Sequence, residues 1–104
     1  MFYELRRYRI ADGKMDDWVQ FMEAVIIPFQ VAQGMVIAGS FRGEDETTYV
    51  WLRRFASEAE REELYAKVYQ SEDWRNEIAP RVAELMLPDI EVTRIVPTPH
   101  SVIS

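Results

Sequence analysis

The chain contains no cysteine and a single histidine among its 104 residues. Without cysteine it has no disulfide, no thiolate zinc or iron–sulfur site and no cysteine nucleophile. A single histidine also excludes a metal site built from several histidines of one chain. Since the carboxylates show no spacing typical of metal ligands, we predict no metal site.

Long apolar runs are absent as well. The longest, from Ala24 to Phe29, is far shorter than the roughly 20 residues that cross a bilayer. The chain opens as a strand, Met-Phe-Tyr-Glu-Leu-Arg-Arg, and not as an apolar signal segment. We therefore expect a cytoplasmic protein without membrane insertion. The net charge of −6 argues against nucleic acid as a partner, because the phosphates would repel the protein.

The remaining composition is that of one globular domain, residues 1–104. Hydrophobic residues make up 48% of the chain and charged residues 29%, which is enough apolar side chain for a folded core. A chain of this length buries only about two thirds of its unfolded surface, so association is a natural source of added stability.

Apolar periodicity predicts the order β-α-β-β-α-β. The four predicted strands are Phe2–Ile10, Met35–Arg42, Thr47–Phe55 and Ile90–Val96. The first helix runs from Met15 to Gly34, and Pro28 should kink it or end it early.

The second helical unit is predicted to be broken in two. It opens with a capping box from Ser57 to Glu60, ends near Tyr69, restarts at Trp74 and should kink at Pro80. This order favours an α+β, ferredoxin-like fold with a four-stranded antiparallel sheet and helices on one face.

Both faces of the predicted sheet carry apolar side chains. In the third strand Tyr49, Trp51 and Phe55 point one way, whereas Val50 and Leu52 point the other. The helices can cover only one face, and the other would leave a large apolar patch in water. We therefore predict a homodimer in which two sheets pack face to face.

Several segments, in this order and spacing, resemble the NIPSNAP family over nearly the whole chain. They are Tyr3-Glu4-Leu5-Arg6, Gly13-Lys14, Pro28, Gly34, Gly39, Tyr49–Phe55, Trp74 and Pro97-Thr98-Pro99-His100-Ser101. One departure is His100, which stands where a bulky apolar residue is expected.

The resemblance implies a dimeric α+β barrel and leaves the chemistry of the protein unassigned. Related barrels include cofactor-free monooxygenases acting on aromatic polyketides, haem-degrading enzymes and muconolactone-type isomerases. In several of them the ligand lies between the helices and the sheet of one protomer. Animal relatives are linked to mitochondria and vesicle traffic.

Candidate site residues are aromatic or cationic. The predicted ligand-binding residues are Trp18, Met22, Tyr49, Trp51, Arg53 and Trp74, which suit a flat apolar molecule; alternatively they are core. Arg53 and Tyr49 are also catalytic candidates, because Arg53 shares a strand face with Tyr49 and Trp51. The lone His100 is either a general base or haem ligand, or a surface or interface residue on the C-terminal tail, the interpretation we favour.

Two functions follow. The first is a small-molecule-binding protein or enzyme without a metal cofactor, acting on a small aromatic or anionic molecule in a monooxygenase- or isomerase-like way. The second is a non-enzymatic homodimeric interaction module. The sequence predicts no cofactor, although His100 keeps haem open, and it does not decide whether the protein is an enzyme.

Overall fold

The computed structural model describes all residues, 1–104. Its strands form one antiparallel sheet in the order β2-β3-β1-β4. They are β1 (Phe2–Ile10), β2 (Val36–Arg42), β3 (Thr48–Phe55) and β4 (Met86–Ile95). The predicted ferredoxin-like α+β fold is confirmed.

The helices pack on one face of this sheet. α1 (Met15–Phe21) continues through a π-helical segment, Met22–Ile26, into α2 (Ile27–Gln33). The second unit consists of α3 (Glu58–Tyr69), a π-helical segment, Trp74–Ile78, and α4 (Ala79–Leu85). The predicted break in the second helical unit is therefore present. No helix is long and apolar enough to cross a membrane.

Each π-helical segment ends just before an X-Pro pair. Pro28 lies in the first turn of α2 and Pro80 in the first turn of α4. The amide of Ile27 donates to the carbonyl of Met22, five residues back, and Ala79 does the same to Trp74. A wider turn changes the position of the carbonyl that a proline ring would otherwise strike. Both prolines thus interrupt the regular bonding, and they do so through a π turn.

The predicted helix ends are present. Gly34 ends α2 with φ of 111°, a left-handed conformation that suits glycine. Ser57 accepts a bond at Oγ from the amide of Glu60 at 3.1 Å. The Glu60 carboxylate in turn accepts from the amide of Ala56 at 3.1 Å. The two capping residues therefore satisfy free donors on both sides of the helix start.

The last strand starts four residues earlier than predicted. Met86 leaves α4 in an extended conformation, with φ of −114° and ψ of 137°, and β4 begins there. Pro88 lies inside this strand. An edge strand tolerates proline because the missing amide can face away from the sheet. Proline is rare inside strands, and for this reason the sequence pattern predicts a strand start after Pro88.

The outer face of the sheet, away from the helices, is partly apolar. Val36 is 40% exposed and Phe41 54% exposed, and both lie on this face. Half-buried apolar residues continue the patch across the neighbouring strands: Leu5, Val50 and Leu52. Beyond it the face is charged, with Arg7, Arg9 and Glu91.

Candidate functional site

Three neighbouring cross-strand pairs that carry polar groups lie on the inner face of the two central strands, against the helices. They are Glu4–Arg53, Arg6–Trp51 and Tyr8–Tyr49. Directly opposed side chains in an antiparallel pair lie within contact distance. The sheet register therefore gathers an acid, two arginines and three aromatic rings into one interior row.

An apolar cavity of about 90 Å³ lies between this row and the helices. Ten of its eleven lining residues are hydrophobic or aromatic, which leaves Arg6 as the one charged group in the wall. All three tryptophans of the chain line it: Trp18, Trp51 and Trp74. Ile90 also lines it and is 45% exposed, so the cavity reaches solvent beside β4.

Four of the six predicted ligand-binding residues lie in this wall: Trp18, Met22, Trp51 and Trp74. Tyr49 does not line it. Its buried ring packs edge-on against Trp18, with 5.7 Å between centroids, and its hydroxyl lies 2.6 Å from Ser40 Oγ. Its ligand role stays a prediction.

The two remaining candidates, Arg53 and His100, also lie outside the wall. Arg53 is fully buried, and its guanidinium lies 4.8 Å from the ring centroid of Trp51. His100 is exposed on the C-terminal tail. Catalytic roles for both stay predictions, as does haem ligation by His100.

Arg53 is the centre of a buried polar network. Its Nη1 donates to Gln30 Oε1 at 2.9 Å and to the Tyr69 hydroxyl at 2.7 Å. Its Nη2 donates to Glu4 Oε1 at 3.1 Å and to the Tyr65 hydroxyl at 2.8 Å. A guanidinium without exposed surface needs such partners, because an unpaired buried charge is strongly unfavourable.

Glu4 is the single carboxylate of this network. Besides Arg53, it accepts a bond from Arg61 Nε at 2.8 Å and from the Tyr65 hydroxyl at 2.6 Å. Burial raises the pKa of Glu4, but the bonds from Arg61 and Tyr65 and the charge of Arg53 outweigh it, so the pKa is lowered overall. Glu4 is therefore ionised at neutral pH.

Tyr65 stays protonated inside the network. Burial raises its pKa to about 12, helped by Glu4, which accepts a hydrogen bond from its hydroxyl, and opposed by the charge of Arg53. Its hydroxyl thus remains a hydrogen-bond donor to the carboxylate.

Arg6, Tyr8 and Trp51 form the polar end of the cavity. Arg6 Nε donates to the Tyr8 hydroxyl at 2.8 Å, and Trp51 Nε1 donates to the same oxygen at 3.0 Å. Burial raises the pKa of Tyr8 and outweighs the opposing effect of Arg6, so the phenol keeps its proton. The arrangement can orient a polar group of a bound molecule.

The sequence analysis did not single out Tyr65 and Tyr69, and it did not place Arg6 among the site residues. One local signal existed, since Tyr65 and Tyr69 are four residues apart on a predicted helix and so share a face. A second was the alternation of Glu4, Arg6 and Tyr8 on one face of β1. Placing them in one site required the strand register and helix packing. No group of three or more potential metal-ligating side chains is present.

The fold is shared with solved structures of low sequence identity. An antibiotic biosynthesis monooxygenase superposes with a TM-score of 0.68 at 12% identity, over 95% of this chain and 100% of that one. Such identity shows the fold alone. The fold therefore defines the class as ferredoxin-like α+β proteins with a four-stranded sheet.

More similar structures narrow the class. A NIPSNAP family protein of unknown function from Agrobacterium tumefaciens matches with a TM-score of 0.90 and 24% identity, over 100% of this chain and 94% of that one. A second NIPSNAP family protein from the same organism matches with a TM-score of 0.85 and 24% identity, over 99% of this chain and 98% of that one. The NIPSNAP sequence profile matches residues 3–102, so the chain belongs to the NIPSNAP family. No curated protein matches it.

Proposed function

We propose that this protein is a homodimer in which each protomer binds a small, mainly apolar molecule in the cavity between the helices and the sheet. The observation that carries the proposal is the composition of the wall, in which three tryptophans surround a single charged group, Arg6. Apolar concave sites with a few convergent polar groups are typical of small-molecule sites.

The size of the cavity limits the ligand. At about 90 Å³ it is smaller than the roughly 150 Å³ cavity known to hold benzene. A single aromatic ring therefore requires side chains to move. Met22 and Met86 line the cavity, and methionine side chains repack more easily than branched or aromatic ones. A ligand no larger than one ring follows.

The type of reaction rests on analogy. Since the fold is shared with an antibiotic biosynthesis monooxygenase, a monooxygenase-like conversion is the first to test and an isomerase-like one the second. Both would proceed without a metal. Fold alone does not fix chemistry, so binding is tested before turnover.

Tryptophan fluorescence tests binding directly, because every tryptophan lines the cavity. We expect small aromatic compounds to change the emission and raise the unfolding temperature. Val82 lines the cavity, so Val82→Phe should fill it and abolish both effects. The matched control is Val31→Phe, at a residue 51% exposed on α2, which should bind as the parent does. Equal binding by both variants contradicts the proposal.

The outer face of the sheet supports the homodimer. Its exposed Phe41 and Val36 adjoin half-buried apolar residues on the neighbouring strands, and sheet-on-sheet packing would remove this patch from water. Sedimentation should give twice the chain mass, and Phe41→Glu should shift the protein toward monomer. Val31→Glu, on a helix, is the control. A folded 12.3 kDa species at micromolar concentration contradicts the dimer.

One observation favours a second candidate, the non-enzymatic interaction module. Apolar side chains are exposed along β4 and just after it: Leu87 at 39%, Ile90 at 45%, Val92 at 48% and Val96 at 68%. Such a surface suits a protein partner. If no small molecule binds and Val82→Phe behaves as the parent protein, this candidate becomes the better one.

A further inference from the structure

We propose that the cavity ligand is a small monocarboxylic acid whose carboxylate is bound by Arg6. This rests on the proposed function, and it names the chemical class of the ligand for that same cavity.

The charge of Arg6 has no counterion within the protein. Its guanidinium donates to the hydroxyls of Tyr8 at 2.8 Å and Tyr65 at 3.2 Å, and it forms no salt bridge. The two arginines of the neighbouring polar network, Arg53 on β3 and Arg61 on α3, both bind Glu4. A half-buried guanidinium without a carboxylate is unusual, because buried charges are normally paired. The guanidinium of Arg6 is therefore able to pair with an anion.

The unused hydrogen-bonding capacity of the wall consists of donors. The Tyr8 hydroxyl accepts from Arg6 and Trp51 but donates to no group, and the Tyr69 hydroxyl accepts from Arg53 and likewise donates to none.

A third donor belongs to Trp18, which lines the cavity and whose buried indole N–H has no partner. No carboxylate, amide or histidine lies in the wall. A ligand group that only accepts hydrogen bonds, and that carries negative charge, fits this set.

A carboxylate matches Arg6 better than other anions of similar size. The planar guanidinium binds a planar carboxylate through two parallel bonds, and the apolar remainder of the wall suits a hydrocarbon body. One guanidinium is available, and no second cation lines the cavity, so a monoacid is favoured over a diacid or a phosphate. The volume of about 90 Å³ limits the body to a short chain or one ring.

Matched acids and amides test this assignment on the intact chain. Butyrate and benzoate are compared with butyramide and benzamide, which have the same shape without the charge. Titrations followed by tryptophan emission and calorimetry should show the acids binding roughly tenfold to a hundredfold more tightly than the amides. Arg6→Met should abolish this preference. Arg7→Met removes the same charge from the opposite face of β1, at an exposed residue outside the cavity, and should keep it.

The outcomes separate the two proposals. Acids and amides that bind parent protein equally well overturn the acid assignment and leave the proposed function standing. Failure of both series to bind overturns both. The comparison in the parent protein needs no variant, so it decides even where Arg6→Met does not fold. In that case Arg6→Lys, which keeps the charge, should still prefer the acids. Equal affinity of this variant for the acids and the amides counts against the assignment.

Discussion

Replacing Glu4 by glutamine leaves Arg53 buried without a carboxylate. Arg53 has no exposed surface, and Glu4 is the one acid it contacts, at 3.1 Å. Removing one partner of a buried ion pair typically costs about 3–5 kcal/mol, because the remaining charge stays in a medium of low polarity. For a domain of this size that corresponds to a fall in Tm of about 15–25 °C.

The reverse substitution should be milder. Arg53→Met keeps much of the side-chain volume, and Glu4 still accepts from Arg61 at 2.8 Å and from Tyr65 at 2.6 Å. The substitution removes the donor to Gln30 and Tyr69, which should lower the free energy of unfolding by about 1–3 kcal/mol. The two single substitutions should therefore differ in effect, and Glu4→Gln should lower the free energy of unfolding more than Arg53→Met does.

The double variant, Glu4→Gln with Arg53→Met, also removes the guanidinium that Glu4→Gln alone leaves buried without a carboxylate. We expect it to be more stable than Glu4→Gln alone, with a coupling energy of about 1–3 kcal/mol in the double-mutant cycle. Urea unfolding at one fixed protein concentration measures all four proteins, because stability of a dimer depends on concentration. Simple additivity, or a larger loss for Arg53→Met than for Glu4→Gln, would refute the reasoning.

The pH dependence supplies an independent check. The pKa of Glu4 is lowered in the folded protein from a reference value of 4.5, so its contribution is fully present above that pH and is lost as pH falls through the folded pKa. Glutamine does not titrate. The stability gap between the parent and Glu4→Gln should therefore be constant near neutrality and shrink below pH 4.5. A gap unchanged at pH 3 contradicts the assigned role of the carboxylate.

Two further predictions concern the turns. Gly34→Ala should destabilise the protein by about 1–2 kcal/mol or more in thermal unfolding, because φ is 111° and the added Cβ would lie 3.0 Å from Leu64 Cδ2. A loss of stability below about 0.5 kcal/mol, as an ordinary surface substitution gives, contradicts backbone strain at Gly34. Asp45 accepts bonds from the amides of Thr47 and Thr48, which lower its pKa from 3.8 to about 2. Asp45→Ala should therefore be less stable than the parent at pH 7, and the difference should narrow as pH falls from 4 toward 2; a difference independent of pH excludes this turn as its source.

Local patterns in the sequence determined the fold class and the order of its elements. The period of two in Phe2–Ile10, the capping residues Ser57 and Glu60, and the left-handed Gly34 each act within a few residues, so a short window of sequence contains them. The same holds for the exclusion of disulfides and thiolate sites, which follows from composition.

The tertiary structure alone decided the site. Glu4 meets Arg53, 49 positions away, and Tyr65, 61 positions away, and neither distance along the chain leaves a periodic signal. Arg6 and Arg7 are the same residue type at neighbouring positions of one strand. Because successive side chains of a strand point to opposite faces, Arg6 lines the cavity and Arg7 lies on the outer face. Which side chains share an interior depends on strand register and on helices laid across it, and these are settled only when the chain packs.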